Sequence, residues 1–138
     1  MPVTSAAVSL NVPDVIASAE FAKRHFGFVE IMSTDGVVSL RHEASILQVI
    51  FLRTGLSTFR PADIAGSAGK GLLVVLVLDE GLDEEFARIS AAGAPVETPP
   101  ETEPWGERYC QFRDPNGIGL EFYKEALGIF EGNTLLPG

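Results

Sequence analysis

The sequence predicts an α+β fold made of two β-α-β-β-β modules. Three observations carry that prediction. A strand, helix, strand, strand, strand order occurs twice along the 138 residues. Five residues of the first helical region recur 65 positions later in the second. The last third of the chain reads as a hairpin with explicit turn chemistry.

The first module opens with 6–12, whose weak alternation fits a half-buried strand. Pro13-Asp14 ends it, and Asp14 is placed as the N-cap of a helix. Val15, Ala19, Ala22 and Phe26, with Phe21 on the flank, form an apolar stripe at helical spacing, and Gly27 suits the stop. Strands over 28–33, 37–42 and 46–52 follow, the first two joined by an Asp35-Gly36 turn. Residues 53–70 hold Gly, Ser, Thr and Pro without periodicity and read as a linker loop.

The order then repeats, with a strand over 72–78, a helix over 82–92 stopped by Gly93, and a short strand over 95–98. Asp14, Glu20, Phe21, Ala22 and Lys23 recur as Asp79, Glu85, Phe86, Ala87 and Arg88. A Pro/Glu-rich loop leads to the hairpin, where 107–113 alternates, Asp114-Pro115-Asn116-Gly117 turns the chain, and 118–123 resumes an apolar run. The modules therefore span 5–52 and 71–125, and 126–138 is a tail. Glu121 stands in the middle of an otherwise uncharged strand, where a carboxylate needs a partner.

Composition bounds the function. The charge of −9 and pI near 4.6 argue against nucleic acid or an anionic membrane as partners and favour a cationic or neutral ligand. Solubility alone also explains an acidic chain. The single cysteine, Cys110, rules out an intramolecular disulfide and fits a reducing cytoplasm. Residues 1–12 lack the features of a signal peptide, and the longest apolar run, 72–78, is too short to span a bilayer. Gly66 to Gly71 has the wrong spacing for a phosphate loop, and Gly71 stands where such a loop needs Ser or Thr.

The paired modules, Val12-Pro13-Asp14, Phe26-Gly27-Phe28, Pro104-Trp105-Gly106 with Arg108, and Phe112 to Gly117 leading to Glu121 together carry a resemblance. Over 5–125 the chain resembles the glyoxalase / bleomycin-resistance / extradiol-dioxygenase superfamily, the vicinal oxygen chelate fold. The resemblance implies that each module's strands curl into a cup, that the two cups form one cavity, and that a homodimer often completes it. Members perform unrelated chemistry, so fold does not settle function. The metal-ligand positions it implies fall near Ala7, Gln48, Leu73 and Glu121. Ala6, Ala7, Val8, Leu72, Leu73 and Val74 offer no donor. A catalytic zinc or iron usually takes three or more protein ligands. His25 reads as a capping or surface residue, and His42, beside Glu43 in a turn, is the reserve ligand.

Three roles stand open for Glu121. It pairs with Arg108 or Arg113 or bonds Gln48 or Tyr109; it accepts a donor or cation from a small molecule; or it acts as a general base. With Glu121 inward, the strand period of two turns Gly119 and Tyr123 inward as well. Ile118, Leu120 and Phe122 then pack under the helices. Tyr109, Gln111 and Arg113 face inward from the partner strand, with Cys110, buried and unreactive, and Phe112 on the helix side. Ser9 and Asn11 face inward from the first strand, and Ile46, Gln48 and Ile50 from the fourth. Trp105 is placed at the cavity mouth, where it stacks on a planar ligand or covers the core. Phe51 and Phe59 read as core or dimer contacts. Such a mixed wall suits an apolar ligand with a few polar anchors.

The expectation is a metal-free, cofactor-free, cytoplasmic homodimer that sequesters or carries a partly aromatic drug or metabolite. Its ligand would meet Ser9, Asn11, Gln48, Trp105, Tyr109, Gln111, Glu121 and Tyr123. The alternative is a lyase, isomerase or dioxygenase-like enzyme. It would use a metal held by Gln48, Glu121 and a further donor, or Glu121 alone as base.

Overall fold

The computed structural model describes residues 1–56 and 66–125. Phe59, the centre of the expected linker and the tail lie outside them. The chain divides into two compact units, Met1–Lys70 and Gly71–Gly138.

In the first unit the order is β1 (Val8–Val12), α1 (Val15–His25), β2 (Phe28–Thr34), β3 (Val37–His42) and β4 (Gln48–Arg53). The sheet order is β1-β4-β3-β2, with β1 and β4 parallel and the other pairs antiparallel. Asp14 caps α1 as the sequence predicts, its carboxylate accepting from the Ala17 N–H at 3.1 Å. Thr34 pairs with Val37, leaving Asp35 and Gly36 as a two-residue turn with Gly36 at φ +78°. The helix side of the sheet buries Leu10, Val38, Leu40, Val49 and Phe51, while α1 buries Val15, Ala19, Phe21 and Ala22.

In the second unit the order is β5 (Leu73–Val77), α2 (Leu82–Ala91), β6 (Val96–Thr102), β7 (Arg108–Arg113) and β8 (Gly119–Lys124). Its sheet repeats the topology as β5-β8-β7-β6. Leu76, Cys110, Phe112, Leu120 and Phe122 are buried on one face with Leu82 and Ile89 of α2, and the Phe86 and Phe112 rings lie 5.4 Å apart.

Four local expectations change. The fourth strand starts at Gln48, so Ile46 sits in the preceding turn at 93% exposure and does not face inward. His25 is buried, with its ring edge-on to Phe21 at 4.9 Å; the last turn of α1 faces the core there, not solvent. The third strand of the second module does not stop at Thr98 but runs through Pro99-Pro100 to Thr102. Proline lacks the ladder donor, and β6 tolerates two because it is an edge strand with shifts in its register. Finally, α2 begins at Leu82 as expected, after Gly81 at φ +81°, but the offset of the repeat changes. The buried helix positions correspond as Val15 with Leu82 and Ala22 with Ile89, each 67 residues apart. The letter repeat at 65 is therefore out of structural register.

Candidate functional site

The DPNG turn sets the geometry of β7 and β8. Asp114 is buried, and its Oδ1 accepts from the N–H groups of Asn116 and Ile118, each at 2.8 Å. Gly117 takes φ +85° and returns its N–H to the Asp114 carbonyl at 2.9 Å. The clamped loop puts Arg113 opposite Gly119, so Gln111 faces Glu121 and Tyr109 faces Tyr123.

Side chains on paired residues share a face, so the sheet surface away from α2 is built in rows. One row runs Thr98 on β6, Gln111 on β7, Glu121 on β8 and Val75 on β5. Thr98 Oγ1 donates to Gln111 Oε1 at 2.7 Å, and Gln111 Nε2 donates to Glu121 Oε1 at 2.8 Å. The next row runs Glu101, Tyr109, Tyr123 and Val77. Tyr109 donates its hydroxyl to Glu101 at 3.2 Å. Leu73, Val75 and Val77 on β5 are exposed. Gly119 leaves room for Leu73, whose Cδ1 would lie 2.8 Å from an added Cβ.

Both phenols resist ionisation. The hydrogen bond to Glu101, followed by burial and Glu103, pushes Tyr109 up to about 12. Burial, followed by Glu107, pushes Tyr123 up to about 12. They therefore present neutral rings and hydroxyl donors at neutral pH. Burial also pushes the Cys110 thiol up to about 11, which suppresses the thiolate.

The arginines expected as partners of Glu121 are committed elsewhere. Arg108 makes a two-point ion pair with Asp83, at 2.7 and 3.0 Å, and holds that carboxyl below its usual range. Arg113 makes one with Glu97, at 2.8 and 3.1 Å. Among the described residues of the second unit, the Glu121 side chain is hydrogen-bonded by Gln111 and not by Tyr109.

Of the residues named from sequence, Tyr109, Gln111, Glu121 and Tyr123 stand together on this face. Trp105 lies half-buried in the loop between β6 and β7, beside Gly106 at φ +102°. Ser9, Asn11 and Gln48 belong to the first unit. There Ser9 pairs with Ile50, and Gln48 pairs with Arg41. Asn11 is buried at 4% exposure, and its carbonyl accepts from Ala68 N–H at 2.7 Å. Sequence reading missed Thr98, Glu101 and Glu107 as neighbours of these groups; the alternation of Thr98 and Pro100 into Thr102 was the only signal, and the prolines hid it.

The register also corrects one ligand position. Leu10 pairs with Phe51 and Leu76 with Phe122 on the helix sides of the two sheets. Hence Ile50, not Gln48, is the first unit's counterpart of Glu121. His42 is occupied locally, its Nδ1 accepting from Ala44 N–H at 3.1 Å and its ring edge-on to Phe28 at 5.1 Å. Among the described residues no three His, Cys, Asp or Glu side chains converge as a metal-binding group. On its own sheet Glu121 has Gln111 and Val75 beside it and Tyr123 along the strand, a donor set that does not fit a divalent transition metal.

A duplicated βαβββ scaffold with one open, mixed-polarity sheet face defines the class. A family model described as the Glyoxalase/Bleomycin resistance protein/Dioxygenase superfamily matches residues 4–122, and the chain belongs to that superfamily. Solved structures share the fold. A glyoxalase/bleomycin resistance protein/dioxygenase from Nocardioides is 24% identical over 100% of this chain and 89% of its own, with a TM-score of 0.74. Lactoylglutathione lyase from Agrobacterium tumefaciens is 21% identical over 92% and 98%, with a TM-score of 0.72. TioX from Micromonospora sp. ML1 is 26% identical over 88% and 98%, with a TM-score of 0.67. No curated protein matches the chain. Among the described residues no helix is long and apolar enough to cross a membrane.

Proposed function

We propose that this protein is a metal-free small-molecule-binding protein of the bleomycin-resistance type, a cytoplasmic homodimer that sequesters or carries a partly aromatic drug or metabolite. The observation that carries this reading is the setting of Glu121. It is a carboxylate held by Gln111, on a face that also carries Thr98, the Tyr109 and Tyr123 rings with Glu101 beyond them, and exposed aliphatics. Such a face offers apolar area for a planar body and one charged acceptor for its polar group. It offers too few donors to hold a catalytic metal.

The test has two parts. Aromatic fragments are titrated into wild type and Trp105→Ala, with binding followed calorimetrically. Loss of Trp105 is expected to weaken planar binders about five-fold, on the order of 1 kcal/mol of stacking. Metal analysis follows purification without chelator. Stoichiometric zinc, nickel, manganese or iron that disappears in Glu121→Ala would replace the binding reading with a metal-dependent enzyme.

A further inference from the structure

Resting on that reading, we propose that Thr98, two strands from Glu121, is a positioning residue that anchors Gln111 beside Glu121, in a site whose carboxylate takes ligands presenting an N–H or O–H donor. An amide oxygen cannot donate, so the 2.7 Å contact between Thr98 Oγ1 and Gln111 Oε1 uses the hydroxyl proton. Nε2 of the same amide faces Glu121, which accepts at 2.8 Å. The chain of donors runs in one direction, from Thr98 through Gln111, and ends on an acceptor. Each bond polarises the next. A flipped Gln111 would point its oxygen at the Glu121 carboxylate, and that acceptor opposes the flip, whereas the Thr98 hydroxyl can bond either end of the amide.

The surroundings reinforce the polarity. Tyr109 directs its hydroxyl to Glu101, and Glu107 stands beside Tyr123. The nearby guanidinium groups of Arg108 and Arg113 are engaged by Asp83 and Glu97. An anionic head placed beside Glu121 would meet carboxylates, with Arg108 and Arg113 of the same sheet already paired. A cationic or neutral donor would complete the row that Thr98 begins. Thr98 itself lies beyond Gln111 and acts only through it.

Three matched probes test this: benzylammonium, benzyl methyl ether and benzoate, titrated by 1H–15N NMR into wild type, Thr98→Val and Thr98→Ser. Benzylammonium is expected to bind best and to shift the Gln111 side-chain amide, whose resonances are assigned through Gln111→Leu. Thr98→Val is expected to weaken benzylammonium by at most about five-fold, because an unanchored Gln111 no longer holds the Glu121 carboxylate in place, and to leave the ether unchanged. Thr98→Ser restores the preference. In the free protein, Thr98→Val alone is expected to move the Gln111 amide protons upfield. Equal weakening of ammonium and ether, or an unmoved Gln111 amide, overturns the role of Thr98. Failure of every probe to reach this face, with the Gln111 shift present, overturns the binding reading and leaves the relay standing.

Discussion

Tyr109 and Tyr123 are the chain's two tyrosines, so absorbance at 295 nm in alkaline titration reports these two residues. An exposed phenol ionises near pH ~10. Here both are pushed up to about 12, Tyr109 first by its hydrogen bond to Glu101 and Tyr123 first by burial. The native protein should thus show no step near 10, and the urea-unfolded chain should show both there. Glu101→Gln removes the charge that accepts the Tyr109 proton, so half of the amplitude should fall back by roughly one pH unit. Glu107→Gln should move the Tyr123 half less, because burial leads there. The effect on stability has a fixed sign. A phenol harder to ionise when folded supports the fold fully below pH ~10 and loses that support as pH rises toward about 12. Denaturant midpoints should therefore fall between those limits, and Glu101→Gln should reduce the fall. A native titration centred near 10, or a Glu101→Gln midpoint that does not move, would refute the placement of these phenols against carboxylates.

Three further outcomes follow from the same geometry. Asp114→Ala deprives two N–H groups of their acceptor in a buried loop and should cost about 2–3 kcal/mol in urea denaturation, with exchange broadening in β7 and β8. The Asp83–Arg108 pair should give a coupling of about 0.5–1 kcal/mol in a double-mutant cycle, since both groups are partly exposed. Because Asp83 is held below its usual range, that contribution is present above the ordinary carboxylate pKa and disappears as pH falls through the lowered one; Asp83→Asn should flatten this part of the acid profile. Cys110, with its thiol near 11 and no exposed surface, should alkylate slowly at pH 8 when native and rapidly in urea.

The fold was legible because its signals are local. Asp14, the Asp35-Gly36 turn and the DPNG loop act within a few residues of themselves, and the alternation of 108–113 fixed which side chains share a face with Glu121. The pairings of charged side chains were not legible, since they depend on what a neighbouring element brings. Arg108 reaches the first turn of α2, and Arg113 reaches β6. Pro99-Pro100 read as a loop because central strands exclude proline, and only the sheet order reveals β6 as an edge. That one misreading hid Glu101 as the partner of Tyr109. A strand start placed two residues early likewise put Ile46 on the sheet, where the structure has a turn.

Duplication has kept the backbone and changed the chemistry. The row through Glu121 reads Thr98, Gln111, Glu121 and Val75, and the same row of the first sheet reads Met32, Ser39, Ile50 and Ser9. Equal registers therefore carry a polarised relay in one unit and an aliphatic side chain between two hydroxyls in the other. At the position that answers Glu121 in the repeat, the first unit carries the branched hydrocarbon of Ile50. Gln111 adds a second difference, because it already supplies Glu121 with a hydrogen-bond donor. A carboxylate so held is prepared to accept one more donor from outside the protein, and for that task a single carboxylate is enough.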